Sequence, residues 1–115
     1  MTSKIKIAAD FSDVPSGRYP SDGDYNGERF RDEILVPKLK AGEVIDVELD
    51  GVEGYGSSFL EEAFGGLVRV HKFDPEFLTK HLHLIAHSGA AQRYKGLAES
   101  FIRSAMAANL RRRLR

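Results

Sequence analysis

Ser57 and Ser58 offer the plainest chemical opportunity in the chain, because two hydroxyls stand directly ahead of an apolar run at helical spacing. A phosphate on Ser57 would sit at the positive end of that helix, where unpaired backbone N–H groups and the helix dipole favour an anion. It would add up to about two negative charges and several acceptor oxygens, enough to repel an acidic partner or recruit an arginine. A purely structural use also fits: Ser58-Phe59-Leu60-Glu61 has the serine and glutamate of a capping box, in which each side chain satisfies a backbone donor of the other.

Gly51, Gly54 and Gly56 precede the serines and invite comparison with a phosphate-binding loop. No Lys-Ser/Thr follows them, the spacing is not Gly-x-Gly-x-x-Gly, and Asp50 and Glu53 would repel an anion, so tight-turn use is expected. His81-Leu82-His83 would place two imidazoles on one strand face, where Asp46 or Glu48 could complete a divalent metal site. The same residues read equally as charge-paired surface groups, and His71 and His87 are isolated. Ser57 lacks the Gly-x-Ser-x-Gly elbow of a serine hydrolase. The arginines at 111, 112, 113 and 115 could meet an acidic partner, nucleic acid or a membrane surface, or could simply offset the negative end of the last helix. Aromatic residues are not interleaved with them, so only non-specific nucleic-acid binding is open.

These groups must be held by three strands and three main helices. Residues 1–10 alternate polar and apolar around Lys4-Ile5-Lys6-Ile7, the pattern of a strand covered on one face. Ser12 to Gly27 is a turn-rich loop, with a short extended piece near Arg18 and Tyr19. Phe30, Ile34, Leu35 and Leu39 recur at helical spacing, and Pro37 must kink that helix or restart it. Ile45, Val47 and Leu49 alternate with Asp46, Glu48 and Asp50 as a second strand. Phe59, Leu60, Ala63, Phe64, Leu67 and Val68 form the stripe of a second helix. Asp74-Pro75-Glu76 starts a short helical turn, and Leu82, Leu84 and Ala86 then alternate with the histidines as a third strand. Tyr94, Leu97, Phe101, Ile102, Ala105 and Leu110 share one face of a last helix from about Ala90.

Strands separated by helical crossovers imply a largely parallel or mixed sheet, with helices on the aliphatic face. Its other face would collect Lys4, Lys6, Asp46, Glu48, His81 and His83 as cross-strand opposite charges. A length of 115 residues, 42% of them hydrophobic, suits one domain over 1–115. The absence of cysteine removes disulfides, thiol nucleophiles and cysteine-ligated zinc, and fits a reducing compartment. With no signal-peptide pattern and no apolar run long enough for a bilayer, a cytoplasmic location is expected. The zero net charge hides a split: residues 1–66 carry 7 Lys+Arg against 14 Asp+Glu, residues 67–115 carry 10 against 3.

The run from Val44 to Phe64, a hydrophobic strand ending in Asp50-Gly51-Val52 followed by a Ser-Ser pair opening an amphipathic helix, resembles the central signature of STAS-like domains. Gly27-Glu28-Arg29-Phe30-Arg31-Asp32-Glu33 is similar to a bacterial STAS-like family of unassigned function, related to anti-sigma-factor antagonists. The resemblance implies a STAS-like α/β fold with a sheet of about four strands and helices mainly on one face. It also implies a non-enzymatic interaction module of a partner-switching or regulatory system, with no cofactor. Its partner would be a protein, plausibly a histidine-kinase-like ATPase or a regulator, and not a membrane. In the antagonists the phosphorylated serine lies in Asp-Ser-Ser-Gly-Leu, which falls here on Ser57, with Ser58 beside it. Gly56 stands where the aspartate would be and Phe59 where the glycine would be. Partner contact is then expected at Gly54, Tyr55, Gly56, Ser57, Ser58, Glu61 and Glu62.

Overall fold

Period-two alternation is realised in three strands of the computed structural model, which describes residues 2–114: β1 (Thr2–Lys6), β2 (Val44–Glu48) and β3 (Leu82–Ile85). Ile5, Ile45, Val47, Leu82 and Leu84 point into the core, whereas Lys4, Lys6 and His83 are exposed. The order is β1-β2-β3, both pairs are parallel, and the sheet is one strand short of the expected four. The register aligns Lys4, Asp46 and His83 in one row and Lys6, Glu48 and Ile85 in the next. Opposite charges meet there, with Lys6 Nζ 3.9 Å from Glu48 and His83 Nδ1 3.3 Å from Asp46. His81 is not in that row. It ends a helix, its Nδ1 hydrogen-bonds the Phe77 carbonyl at 2.9 Å, and its ring stacks on Phe77 at 4.0 Å.

The chain does not continue as a strand after Lys6. Residues Ile7–Asp10 form one helical turn, α1, fastened by the Lys6 N–H donating to Asp10 Oδ2 at 2.8 Å, and Ile7 is fully buried. The following loop contains a 3-10 turn at Pro20–Asp22, and Arg18 and Tyr19 are not in a strand.

Helix α2 covers residues 27–40 in three segments, an α start (Gly27–Arg29), a π stretch (Phe30–Leu35) and an α finish (Val36–Lys40). Asn26, itself buried, caps it by accepting the Arg29 N–H at 2.9 Å. Pro37 falls at the start of the last segment, so the helix restarts there and the proline's missing donor costs no regular α-helical bond. Helix α3 covers residues 57–69 in the same way, Ser57–Leu60, a π stretch at Glu61–Gly65, then Gly66–Arg69. α4 is Pro75–His81, capped by Asp74, and α5 is Gly89–Arg113, capped by Ser88.

α3 is the centre of the helical layer. Its predicted stripe is buried, and Glu62, Gly65 and Gly66 on the remaining sides are buried too, because α2 covers one flank and α5 another. A Cβ on Gly27 would lie 2.7 Å from the Phe59 carbonyl oxygen and 2.9 Å from Glu62 Cβ, so glycine is what allows α2 to approach this closely. On α5 the fully buried residues are Ala91, Ala98 and Ala105, small side chains at intervals of seven that let its backbone lie against α3. The sequence placed Leu97 and Leu110 on this face, but both are exposed. Phe30, Phe59 and Phe64 fill the space between the layers, each burial worth roughly 1.5–3 kcal/mol.

Candidate functional site

β2 runs into the turn that carries the two serines. Gly51 has φ +88°, a left-handed conformation that L side chains rarely adopt. Tyr55 is buried, donates its hydroxyl to the Leu49 carbonyl at 2.9 Å, and packs edge-on against Tyr94 of α5 at 5.1 Å. Burial pushes its phenol pKa well above the ordinary value, and Asp50 and Tyr94 push the same way, so Tyr55 is a neutral anchor. Asp50 fastens the turn from the other side, accepting the Ser88 N–H at 2.8 Å and the His87 N–H at 2.9 Å. The Ser88 bond holds its carboxyl below the usual range against a small effect of burial, and the His87 bond adds to it. The start of α3 is thereby tied to the start of α5.

On this mount Gly56, Ser57 and Ser58 are exposed and Gly54 is half-buried. The N-cap is Gly56, with no side-chain cap, so the expected capping box is not formed. Glu61, which would have reached back to the serine, is held instead by Arg18 and Arg69. Phe59, in the place of the antagonists' glycine, is fully buried among Phe11, Phe30 and Tyr55, so its bulk serves the core.

Glu62 faces inward and has no surface to offer a partner. Its carboxylate accepts from Arg31 Nη1 at 2.5 Å and from Arg18 Nη1 and Arg69 Nη2 at 3.2 Å each, while its side chain is 2% exposed. Arg31, also buried, donates to the Glu62 carbonyl at 3.1 Å and from Nε to Asp32 at 2.8 Å. Asp32 in turn hydrogen-bonds His71 Nε2 at 2.8 Å. A Cβ at Gly66 would fall on the Arg31 guanidinium, so that glycine makes its room. Burial opposes ionisation of both Glu61 and Asp32. The opposing hydrogen bonds outweigh it, from Arg18 and Arg69 for Glu61 and from Arg31 and His71 for Asp32, and hold both carboxyls below their ordinary values.

The structure separates His81 from His83 and assembles a different donor set. Ligand atoms of Glu48, Asp50 and His87 lie within 4.8 Å of one another at the carboxyl ends of β2 and β3. Both Asp50 oxygens there are already acceptors for backbone N–H groups, so the cluster's evident work is to fasten the loop. The pairing Glu48↔Ile85 carries on to bring Asp50 opposite His87, a proximity readable from sequence only once the parallel register is known.

No helix among the described residues is long and apolar enough to cross a membrane. No curated protein and no solved structure matches the chain. A family model described as a STAS-like domain of unknown function (DUF4325) matches residues 26–90, which contain α2, β2, the serine turn, α3, α4 and β3. That match covers more than half of the sequence and agrees with the parallel sheet and its one-sided helices, and the chain therefore belongs to this STAS-like family of unknown function.

Proposed function

We propose that this chain is a non-catalytic protein-interaction module of a bacterial partner-switching or regulatory system, working in the cytoplasm without a cofactor. Its docking edge is the turn Gly54–Ser58, and Ser57 is the phosphoacceptor candidate, with Ser58 beside it. The observation that carries this reading is the pair of exposed hydroxyls on the first turn of α3, mounted on an anchored turn. A phosphate on Ser57 meets the first backbone N–H groups of a 57–69 helix that no side chain caps, so the fold has donors ready for it. The added charge is the switch, since one exposed turn changes from neutral to dianionic while the core behind it is unaltered. A histidine-kinase-like ATPase is the partner class this reading favours. Intact-mass measurement after incubation with ATP and such an ATPase should show one phosphate, absent in Ser57→Ala. Unchanged mass together with no complex on gel filtration would remove the reading.

A further inference from the structure

The outer edge of β3 is open. β3 pairs only with β2, and between its free edge, α4 and α5 runs a groove of about 510 Å³. Leu82, Leu84, Ile102 and Met106 supply its apolar wall, and Lys95, Glu99 and Arg103 line it from α5. The Ile85 carbonyl accepts the Leu49 N–H of the strand beside it. Strand backbone alternates sides, so the Leu84 N–H and C=O and the Leu82 C=O turn away from β2, into the groove. The Leu82 N–H is already used, donating to the Leu78 carbonyl.

We propose that this groove binds an extended, acidic segment of a protein partner, which adds to β3 as a fourth strand. Backbone hydrogen bonds to Leu82 and Leu84 supply affinity, and alternate aliphatic side chains of the segment rest on Ile102 and Met106. Charge selects the occupant. Lys95, Arg103 and the exposed His83 outnumber Glu99 in the groove, and residues 67–115 carry 10 Lys+Arg against 3 Asp+Glu. A second copy presenting the same edge would set these cations against themselves, which disfavours a symmetric dimer here. The proposal is independent of Ser57, which lines no part of this groove.

The test is a selection of 12-residue peptides from a random phage library on the full chain, followed by anisotropy titration of the enriched sequences as labelled peptides. The expected peptides alternate aliphatic residues with Asp or Glu. Their affinity should fall about fivefold to tenfold in each of Lys95→Glu and Arg103→Glu at low salt and stay unchanged in Ser57→Ala. Both reversals lie on the outer side of α5, away from its buried alanines, so the fold is retained. Hydrogen exchange at the Leu84 amide should slow on binding. Enriched peptides without acidic residues, affinity indifferent to both reversals, or an unprotected Leu84 amide would overturn the proposal. So would a concentration-dependent dimer abolished by Arg103→Glu, which would give the groove to a second copy.

Discussion

Glu62→Gln is the most informative single change in this protein. Its carboxylate, 2% exposed, gathers three guanidinium groups, and Arg31, 3% exposed, has only Glu62 and the 42%-exposed Asp32 as charged partners. Removing one member of a buried pair leaves the other charged and undercompensated, at a cost of about 3–5 kcal/mol. The amide keeps the shape and one acceptor oxygen, which puts the expectation near the lower end, about 3 kcal/mol. With an unfolding entropy of roughly 2.1 cal/mol/K per residue over 115 residues, that lowers Tm by about 12 °C. It is a large share of a total stability on the order of 6–17 kcal/mol for a chain of this length. The assay is urea denaturation followed by circular dichroism, with calorimetry for Tm. Glu33→Gln is the control, because Glu33 pairs with Arg29 in an exposed i,i+4 contact worth about 0.5 kcal/mol or less. The paired replacement Arg31→Met with Glu62→Leu should be closer to wild type than Glu62→Gln, since it removes the buried charges together. A Glu62→Gln midpoint shift equivalent to less than about 1 kcal/mol would refute the view that this cluster is stabilising through charge.

Acid should weaken the fold. Glu61 and Asp32 have folded pKa values below their unfolded ones, so their contribution is complete above the ordinary carboxyl range near about 4 and is lost as pH falls through the folded values; Tm measured from pH 7 down to 2 should be level and then decline, less steeply in Glu61→Gln. Gly27→Ala should cost about 1–3 kcal/mol by forcing α2 off α3, while Gly89→Ala, where a Cβ meets nothing within 4 Å, should be neutral or stabilising by chemical denaturation. Ser88→Ala should lose about 1 kcal/mol because Ser88 Oγ accepts the Ala91 N–H at 3.0 Å, and Ser57→Ala should lose nothing measurable in the same assay.

The strands were legible because alternation is a local signal, and Ile45, Val47, Leu82 and Leu84 point where that signal says. α3 was legible for the same reason at helical spacing. What stayed hidden depends on who the neighbours are. Glu61 and Glu62 look like an acidic helix surface until Arg18, Arg31 and Arg69 arrive from three other positions in the chain. His81 continues the alternation of β3 in sequence, yet the helix that Asp74 starts extends far enough to take it, and stacking on Phe77 turns it away from the sheet. Leu97 and Leu110 drew attention away from the alanines, although close helix contact selects small residues rather than large ones. At the candidate site, exposure of Ser57 and Ser58 agrees with a helix start following a glycine turn, while the role of Asp50 in holding that turn needed the backbone of residues 87 and 88.

The two widened stretches, Phe30–Leu35 and Glu61–Gly65, give the family's sequences a rule about length as well as composition. Deleting one residue between 61 and 65 would let α3 relax to regular winding, which intrinsically is the easier state. The remainder of the helix would then rotate by roughly 100° about its axis. Leu67 and Val68 would swing out of the interior and Arg69 would be carried off its carboxylates. Insertions and deletions among related chains should therefore gather in the 12–26 loop and avoid both helices.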